Sequence, residues 1–304
     1  MAKHATLRAQ PAALVPGTLS VISVTLPYFP AARDSQNVLN SPDLAHISRY
    51  ALGRDYHKSL RQRLQKLADR IALELKNSAL NLPFRYRAFA DSAPVMEVEL
   101  TRQAGLAWRG KHSLSLTRQG SWHFLGELYT SLALPADAPI DEHCGHCTRC
   151  LEACPTRAIV APYEVDARLC ISYLTIELAG AIPLELRPLI GNRIYGCDDC
   201  QLCCPWNRFA ALGDPDFAVR NGLDAAPLAE LFAWSEANFN ERLTGSPIRR
   251  IGHERWLRNI AVALGNAPPT PQNLAALKAR QDHPSELVRE HVLWALEKRN
   301  ITYL

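Results

Sequence analysis

The stretch from Cys144 to Pro205 limits what this chain can fold into more than any other. It opens Cys144-Gly-His-Cys147-Thr-Arg-Cys150-Leu-Glu-Ala-Cys154-Pro155, a C-x2-C-x2-C-x3-C-P run, passes a single Cys170, and closes Cys197-Asp-Asp-Cys200-Gln-Leu-Cys203-Cys204-Pro205. All nine cysteines of the 304 residues fall inside it. Thiolates this dense suit soft metal ions. The first run has the spacing that holds 4Fe–4S clusters, its fourth cysteine going to the other cluster of a pair.

Bacterial ferredoxins use this spacing, and two cubane clusters consume all but one of the nine thiols. By the crossover rule one cluster takes Cys144, Cys147, Cys150 and Cys204, the cysteine that precedes a proline. The second takes Cys154, Cys170, Cys197 and Cys200. Cys203 is then the spare, and only Pro205 favours Cys204 over its neighbour. Zinc held by paired CxxC units is a competing reading, against which stand the third cysteine and the Cys-Pro ending. A disulfide framework is a weaker one, because the cysteines are confined to one part of a long chain that lacks a secretory segment.

An apolar content of 47% and a charged content of 21% exclude a disordered chain and leave room for two or three packed domains. No apolar run is long enough to span a membrane. The first residues, Met1-Ala-Lys-His-Ala-Thr-Leu-Arg8, have no apolar signal core, and reduced cysteines point to the cytoplasm. A net charge of +4 is too small to demand a nucleic-acid partner, so the placement of the positive charge carries more information.

The part ahead of the cysteines has an α/β pattern. Leu19 to Leu26, after the turn Pro16-Gly17-Thr18, alternates as a strand. A long helix is expected near 44–77, where Leu60, Leu64, Leu67, Ile71 and Leu75 recur at helical spacing and face a core. Phe84 to Ala90 forms a second strand that delivers Asp91 at its end. Asp91-Ser-Ala-Pro94 has the form of a helix start, and a strand end feeding a helix start is where α/β folds place ligands. Asp91 is thus either an N-cap or a proton donor, the latter needing burial to raise its pKa.

Trp108-Arg-Gly-Lys111-His112-Ser-Leu114 is basic and glycine-linked, either a cradle for an anionic or amide-rich ligand or a solvated turn. Ser121 to Thr130 has the aromatic alternation of a core strand. Asp55-Tyr-His57 invites a metal reading, but a histidine on a long helix is more often a surface or packing residue. Beyond Asn207 the pattern is helical. Trp256, Ile260 and Leu264 share one face, 267–271 is proline-rich, and Leu287, Val288, Val292 and Ala295 form a second stripe. The segment 282–296 resembles one unit of a HEAT-like repeat, whose paired helices stack on neighbours. Arg242, Arg249, Arg250, Arg255 and Arg258 gather just before it, as a phosphate-binding patch or as a solvated face.

Together these residues carry a family resemblance. Asp91-Ser-Ala-Pro94, the two cysteine runs, Cys170-Ile-Ser-Tyr-Leu-Thr-Ile-Glu177, Gly191-Asn-Arg-Ile-Tyr-Gly-Cys-Asp-Asp-Cys-Gln201, Cys204-Pro-Trp-Asn207 and Ser246-Pro-Ile-Arg-Arg-Ile-Gly252 closely resemble epoxyqueuosine reductase, a relative of cobalamin-dependent reductive dehalogenases. That resemblance runs through almost the whole chain. It implies a multidomain α+β protein: a nitroreductase-like α/β domain holding cobalamin over 1–140, a bacterial-ferredoxin-like two-cluster domain over 141–212, and a helical HEAT-like segment binding tRNA over 213–304. It also implies a family segment ahead of Met1 that this chain lacks.

The activity implied is reduction of epoxyqueuosine to queuosine at the tRNA wobble position, the last step of queuosine biosynthesis. Asp91 takes the proton-donor role, and the cluster ligands coincide with those above, leaving Cys203 over. Asp91, Lys111, His112, Ser172, Asp198 and Gln201 are implied as cobalamin contacts. Arg249, Arg250 and Arg255 are implied as tRNA contacts. Asp55-Tyr-His57 is not followed by the glycine of the D-x-H-x-x-G cobalamin signature, as the resemblance to a family that binds the cofactor base-off implies, so His57 is not expected to be a cobalt ligand. The partners expected are the modified anticodon loop and an external electron donor, with a monomeric chain in the cytoplasm. A ferredoxin-type electron-transfer protein, another corrinoid reductase, and a tRNA-binding regulator with structural clusters remain as alternatives. The aromatic and glycine-rich segment between Asp91 and Gly126 favours a ligand-binding enzyme.

Overall fold

A computed structural model describes residues 4–78 and 82–301. The chain has a mixed α+β fold and divides into two compact units, each assembled from non-consecutive segments. The first comprises Met1–Phe29, Asp55–Cys147 and Pro205–Asp214; the second comprises Pro30–Arg54, Thr148–Cys204 and Pro215–Leu304. No helix among the described residues is long and apolar enough to cross a membrane.

The first unit is built on a three-stranded antiparallel sheet in the order Ser20–Pro27, His123–Thr130, Tyr86–Phe89. The expected strands are present within a residue or two of their expected ends. Both flanking strands pair with His123–Thr130, with Val24 opposite Gly126 and Phe89 opposite Glu127. The helix Tyr56–Asn77 packs on one face of the central strand. A Cβ on Gly126 would stand only 3.0 Å from side-chain carbons of Leu60 and Leu64, so glycine is what lets helix and strand approach. The helix Glu97–Gln103 packs on the same sheet, near Phe89, Val95 and Tyr129.

Two sequence expectations are corrected here. The long helix begins at Tyr56, not near Leu44, because the Asp55 carboxylate accepts the His57 amide at 3.1 Å and caps it there. Its buried face is Leu60, Leu64 and Ala68, spaced by four, while Leu67 is 38% exposed. The second correction concerns Asp91, which caps no helix. The next helix starts six residues later at Glu97, and Asp91 has φ 46°, a left-handed conformation incompatible with an extended N-cap.

The second unit pairs His46–Ile47 in parallel with Arg193–Tyr195 and surrounds the helix Gly252–Asn266 with most of its apolar side chains. Every residue from Trp256 to Gly265 is buried, so this helix is enclosed on all sides, beyond the single stripe expected. It packs on Glu286–Ile301, where Gly265 lies under Trp294; a Cβ at that glycine would come within 2.5 Å of the indole. Two buried polar side chains tie loops to it. Arg258 donates to the carbonyls of Leu174, Leu178 and Gly180, and Asn259 donates to those of Thr175 and Ile194.

Candidate functional site

In the first unit the end of the strand Tyr86–Phe89 presents Asp91, whose side chain is 60% exposed. The Tyr56 hydroxyl donates to its carboxylate, and His57 Nε2 lies 3.6 Å from the same oxygen. His57 is itself fixed from behind: Nδ1 is 2.7 Å from Asp55 Oδ1, and its ring stacks on Tyr56 with centroids 4.0 Å apart. It is buried, with Nε2 turned to Asp91. The Asp91 amide donates to Glu97 Oε1 at 2.7 Å. Asp91 is therefore a carboxyl on a left-handed turn, gripped by a phenol and an imidazole. Such a group can give a proton to a basic oxygen placed beside it.

The basic glycine-linked segment is the turn of a hairpin between Trp108–Arg109 and Ser115–Leu116. Lys111 Nζ donates to the carbonyls of Gly145 (2.7 Å) and Cys147 (3.0 Å), so it holds the start of the first cysteine run by its main chain. His112 is buried and its pKa is lowered to about 4 by that burial, so the ring is neutral. Its Nδ1 accepts the Leu114 amide at 3.1 Å, which leaves the proton on Nε2. That N–H and the buried Trp108 indole N–H have no partner among the described residues. Buried donors without partners are uncommon, and a ligand rich in amide oxygens would satisfy them. Elsewhere in this unit a cavity of about 410 Å³ is lined by Arg118, Gln119, Trp122 and His123.

In the second unit Asp198 is fully buried and its carboxylate is already engaged, accepting the Ser48 hydroxyl at 2.5 Å and the Arg49 amide at 2.8 Å. Burial lifts its pKa to about 6, against the pull of those two bonds. It fastens the segment before Gly53 to the second cysteine run. Gln201 is buried and Ser172 half-buried.

Cys144 and Cys147 belong to the first unit, and the other seven cysteines belong to the second. None of the nine is in a disulfide. Cys200 lies close enough to Cys150, Cys170 and Cys203 to feel their charge, and burial pushes the Cys197 and Cys200 thiols well above the ordinary range. Burial resists thiolate formation here, and iron ions would supply the compensating positive charge; the spacing of the cysteines is what fits a pair of iron–sulfur clusters. The Ala158 amide donates to Cys154 Sγ at 3.2 Å, a bond of the kind that tunes cluster potentials. Arg193 pairs bidentately with Asp199 beside Cys197. Cys203 ends the helix Asp199–Leu202, with its thiol directed at the Cys200 carbonyl at 3.5 Å and pushed up to about 12 by burial.

Of the arginines, Arg249 and Arg250 are exposed. Arg255 spends its guanidinium on the carbonyls of Ile251, Ile176 and Arg250. Arg242 lies over the Trp234 ring, 5.1 Å from its centroid. Arg258 is fully buried, so it leaves the expected patch and becomes a structural residue.

Over 99% of its length the chain is 59% identical to an epoxyqueuosine reductase of Pseudomonas aeruginosa, covering 83% of that protein. The chain belongs to the epoxyqueuosine reductase family. It is accordingly an oxidoreductase of the epoxyqueuosine reductase type. The Escherichia coli epoxyqueuosine reductase is 57% identical over 99% of the chain and 79% of that protein. The family model for epoxyqueuosine reductase QueG, DUF1730, matches residues 8–92, and a 4Fe-4S double cluster binding domain matches residues 143–207. Among solved structures, an epoxyqueuosine reductase with an epoxyqueuosine-modified tRNA-Tyr stem loop aligns at a TM-score of 0.85 and 30% identity, over 96% of this chain and 76% of that one. A Bacillus subtilis epoxyqueuosine reductase with its catalytic aspartate loop swung out of the active site aligns at 0.83 and 29%, over 97% and 77%.

Sequence reasoning singled out Asp91 and the cysteines as candidates but not Tyr56, Glu97 or Glu127, which the structure places around Asp91. The available signal was Glu127, a carboxylate in the middle of an aromatic, apolar strand.

Proposed function

We propose that this chain reduces epoxyqueuosine to queuosine at the wobble position of tRNA, using two 4Fe–4S clusters and base-off cobalamin. The observation that carries the reading is the acid on a turn: Asp91, gripped by Tyr56 and His57, on the same chain as a double-cluster cysteine run. Converting an epoxide to an alkene and water takes two electrons and two protons. The electrons call for a redox path, and the protons call for a positioned acid. Cobalamin, when bound, would supply the two-electron chemistry at the epoxide carbon, and clusters held by the cysteine runs would supply one-electron relay from an external donor.

The protein's own residues do the rest. Asp91 gives its proton to the epoxide oxygen as the ring opens, because an unprotonated alkoxide is a poor leaving species. Tyr56 and His57 hold the carboxyl toward the open side of its turn. Lys111 orders the backbone at Gly145 and Cys147, and the unpaired N–H groups of His112 and Trp108 suit the amide-rich edge of a corrin. Ser172, Asp198 and Gln201 are further cofactor contacts in this reading, with Asp198 acting chiefly through the Ser48–Arg49 segment it fastens.

Cluster one takes Cys144, Cys147, Cys150 and Cys204, and cluster two takes Cys154, Cys170, Cys197 and Cys200. The division into a nitroreductase-like cofactor domain, a ferredoxin-like domain and a HEAT-like tRNA-binding tail belongs to the same proposal, as do a monomeric state and a cytoplasmic setting. Arg249 and Arg250, two exposed members of the arginine group, would meet tRNA phosphates. The wobble base must leave its stack to reach the cofactor, at a cost of about a few kcal/mol.

The test is reconstitution with iron, sulfide and cobalamin under anaerobic conditions. The expected protein retains corrinoid through gel filtration, and its Asp91→Asn variant still binds cofactor and tRNA but turns over about 10²–10⁴-fold more slowly. Cluster absorption without retained corrinoid would instead favour an electron-transfer protein.

A further inference from the structure

Two carboxylic acids stand behind Asp91, and the mechanism above uses neither. Glu127 lies on the central strand, opposite Ser23 on one side and Phe89 on the other. It is fully buried, and neither carboxyl oxygen has a hydrogen-bond partner among the described residues. Glu97 stands at the start of the helix packed on that sheet, and its Oε1 accepts the Asp91 amide. Asp91 holds a left-handed φ that costs a non-glycine residue energy, so this bond fastens a turn that would otherwise relax.

The electrostatics agree with the geometry. Burial, then the charges of Glu97 and Asp91, raise Glu127 to about 9. Burial and the charge of Asp91 raise Glu97 to about 7, opposed by the Asp91 N–H bond, His57 and Arg8. The Tyr129 phenol, on the same strand as Glu127, is pushed up to about 12 by burial and by both glutamates. Arg8, His57, Asp91, Glu127 and Tyr129 are thus the titratable and charged groups that face Glu97. Neighbouring carboxyls repel when all are ionised, so such a cluster retains protons.

We propose that Glu97 is the positioning residue behind Asp91: its carboxyl fastens the left-handed Asp91 turn through the main-chain amide and, with the buried Glu127 behind it, forms the carboxyl cluster against which the Asp91 acid works. Asp91, left as a carboxylate once the substrate oxygen has taken its proton, is reprotonated from solvent, to which its side chain is 60% exposed. No electrons move in this step. The inference rests on the reading of Asp91 as the acid.

Three variants of the full chain test it. Glu97→Gln keeps an oxygen for the Asp91 amide but carries no proton; Glu97→Ala loses both; Glu127→Gln is a neutral copy of a protonated acid. The first readout is the infrared absorption of protonated carboxyl groups during a pH titration, which needs no turnover. We expect a band persisting above neutral pH in the wild type, lost in Glu127→Gln, and a second component titrating near 7 that is lost in Glu97→Gln. The second readout is turnover against pH. Glu97→Gln should move the alkaline limb to lower pH with KM unchanged. Glu97→Ala should lower kcat about tenfold or more at every pH. An unaltered profile in both Glu97 variants, or no protonated carboxyl band above neutral pH, would overturn the proposal. Normal turnover in Asp91→Asn would overturn the acid reading instead, and the infrared result distinguishes the two failures.

Discussion

The buried acid on the central strand makes stability depend on pH in a way that can be worked out beforehand. Folded, Glu127 keeps its proton up to about 9; unfolded, it loses it near the ordinary 4.5. Between those values the folded state binds more protons than the unfolded one, so stability is greatest at low pH and falls as pH rises, levelling off only above the folded pKa. The slope is about 1.4 kcal/mol per pH unit where the difference is a whole proton. The buried histidines His46, His112 and His123, lowered to about 4, act in the opposite sense, but only below their ordinary 6.5. Glu97, raised to about 7, adds to the fall below that pH. Between pH 7 and 8.5 Glu127 should therefore cost the wild type about 2 kcal/mol more than Glu127→Gln, which has no proton to lose there. The assay is urea unfolding of anaerobically reconstituted wild type and variant at several pH values, read as the difference between the two, because the thiols released on unfolding titrate in the same window and cancel in the comparison. Parallel curves for wild type and variant would refute the claim that Glu127 is held neutral.

Three further outcomes follow from the same structure. Reconstituted protein should bind about eight iron atoms per chain, a count unchanged in Cys203→Ser and lowered in Cys154→Ser, as iron assay will read. Combining Arg249→Ala with Arg250→Ala should weaken tRNA binding and reduce the salt slope by about 0.7–0.9 for each phosphate no longer neutralised, with turnover at saturating tRNA retained; unchanged affinity and slope would make these arginines a solvated face. Arg258→Ala should leave the salt slope alone but destabilise the second unit by about 3 kcal/mol or more in thermal unfolding, because three buried carbonyls lose their donor.

The cysteine spacing made the cluster domain legible because metal ligation demands residue type and separation, both visible in one dimension. Alternation likewise marked the strands Ser20–Pro27 and His123–Thr130, where one face meets a core. What escaped was set by interactions distant in sequence or hidden in local geometry. The carboxylate of Asp55 moved the helix start to Tyr56, and the burial of Arg258 depends on loops some eighty residues earlier. Asp91 was legible as a candidate but its geometry was not, since its left-handed turn is held by Glu97 and its carboxyl by Tyr56 and His57.

The central claim, that Asp91 supplies a proton to an epoxide reduced at the wobble nucleoside, is tested most directly by digesting the tRNA stem loop after reaction and weighing the nucleoside. Reconstituted wild type with a chemical reductant should convert epoxyqueuosine to the nucleoside lighter by one oxygen. Asp91→Asn, with equal iron, corrinoid and bound stem loop, should leave the epoxide almost wholly intact. Equal conversion by the two proteins would contradict the account.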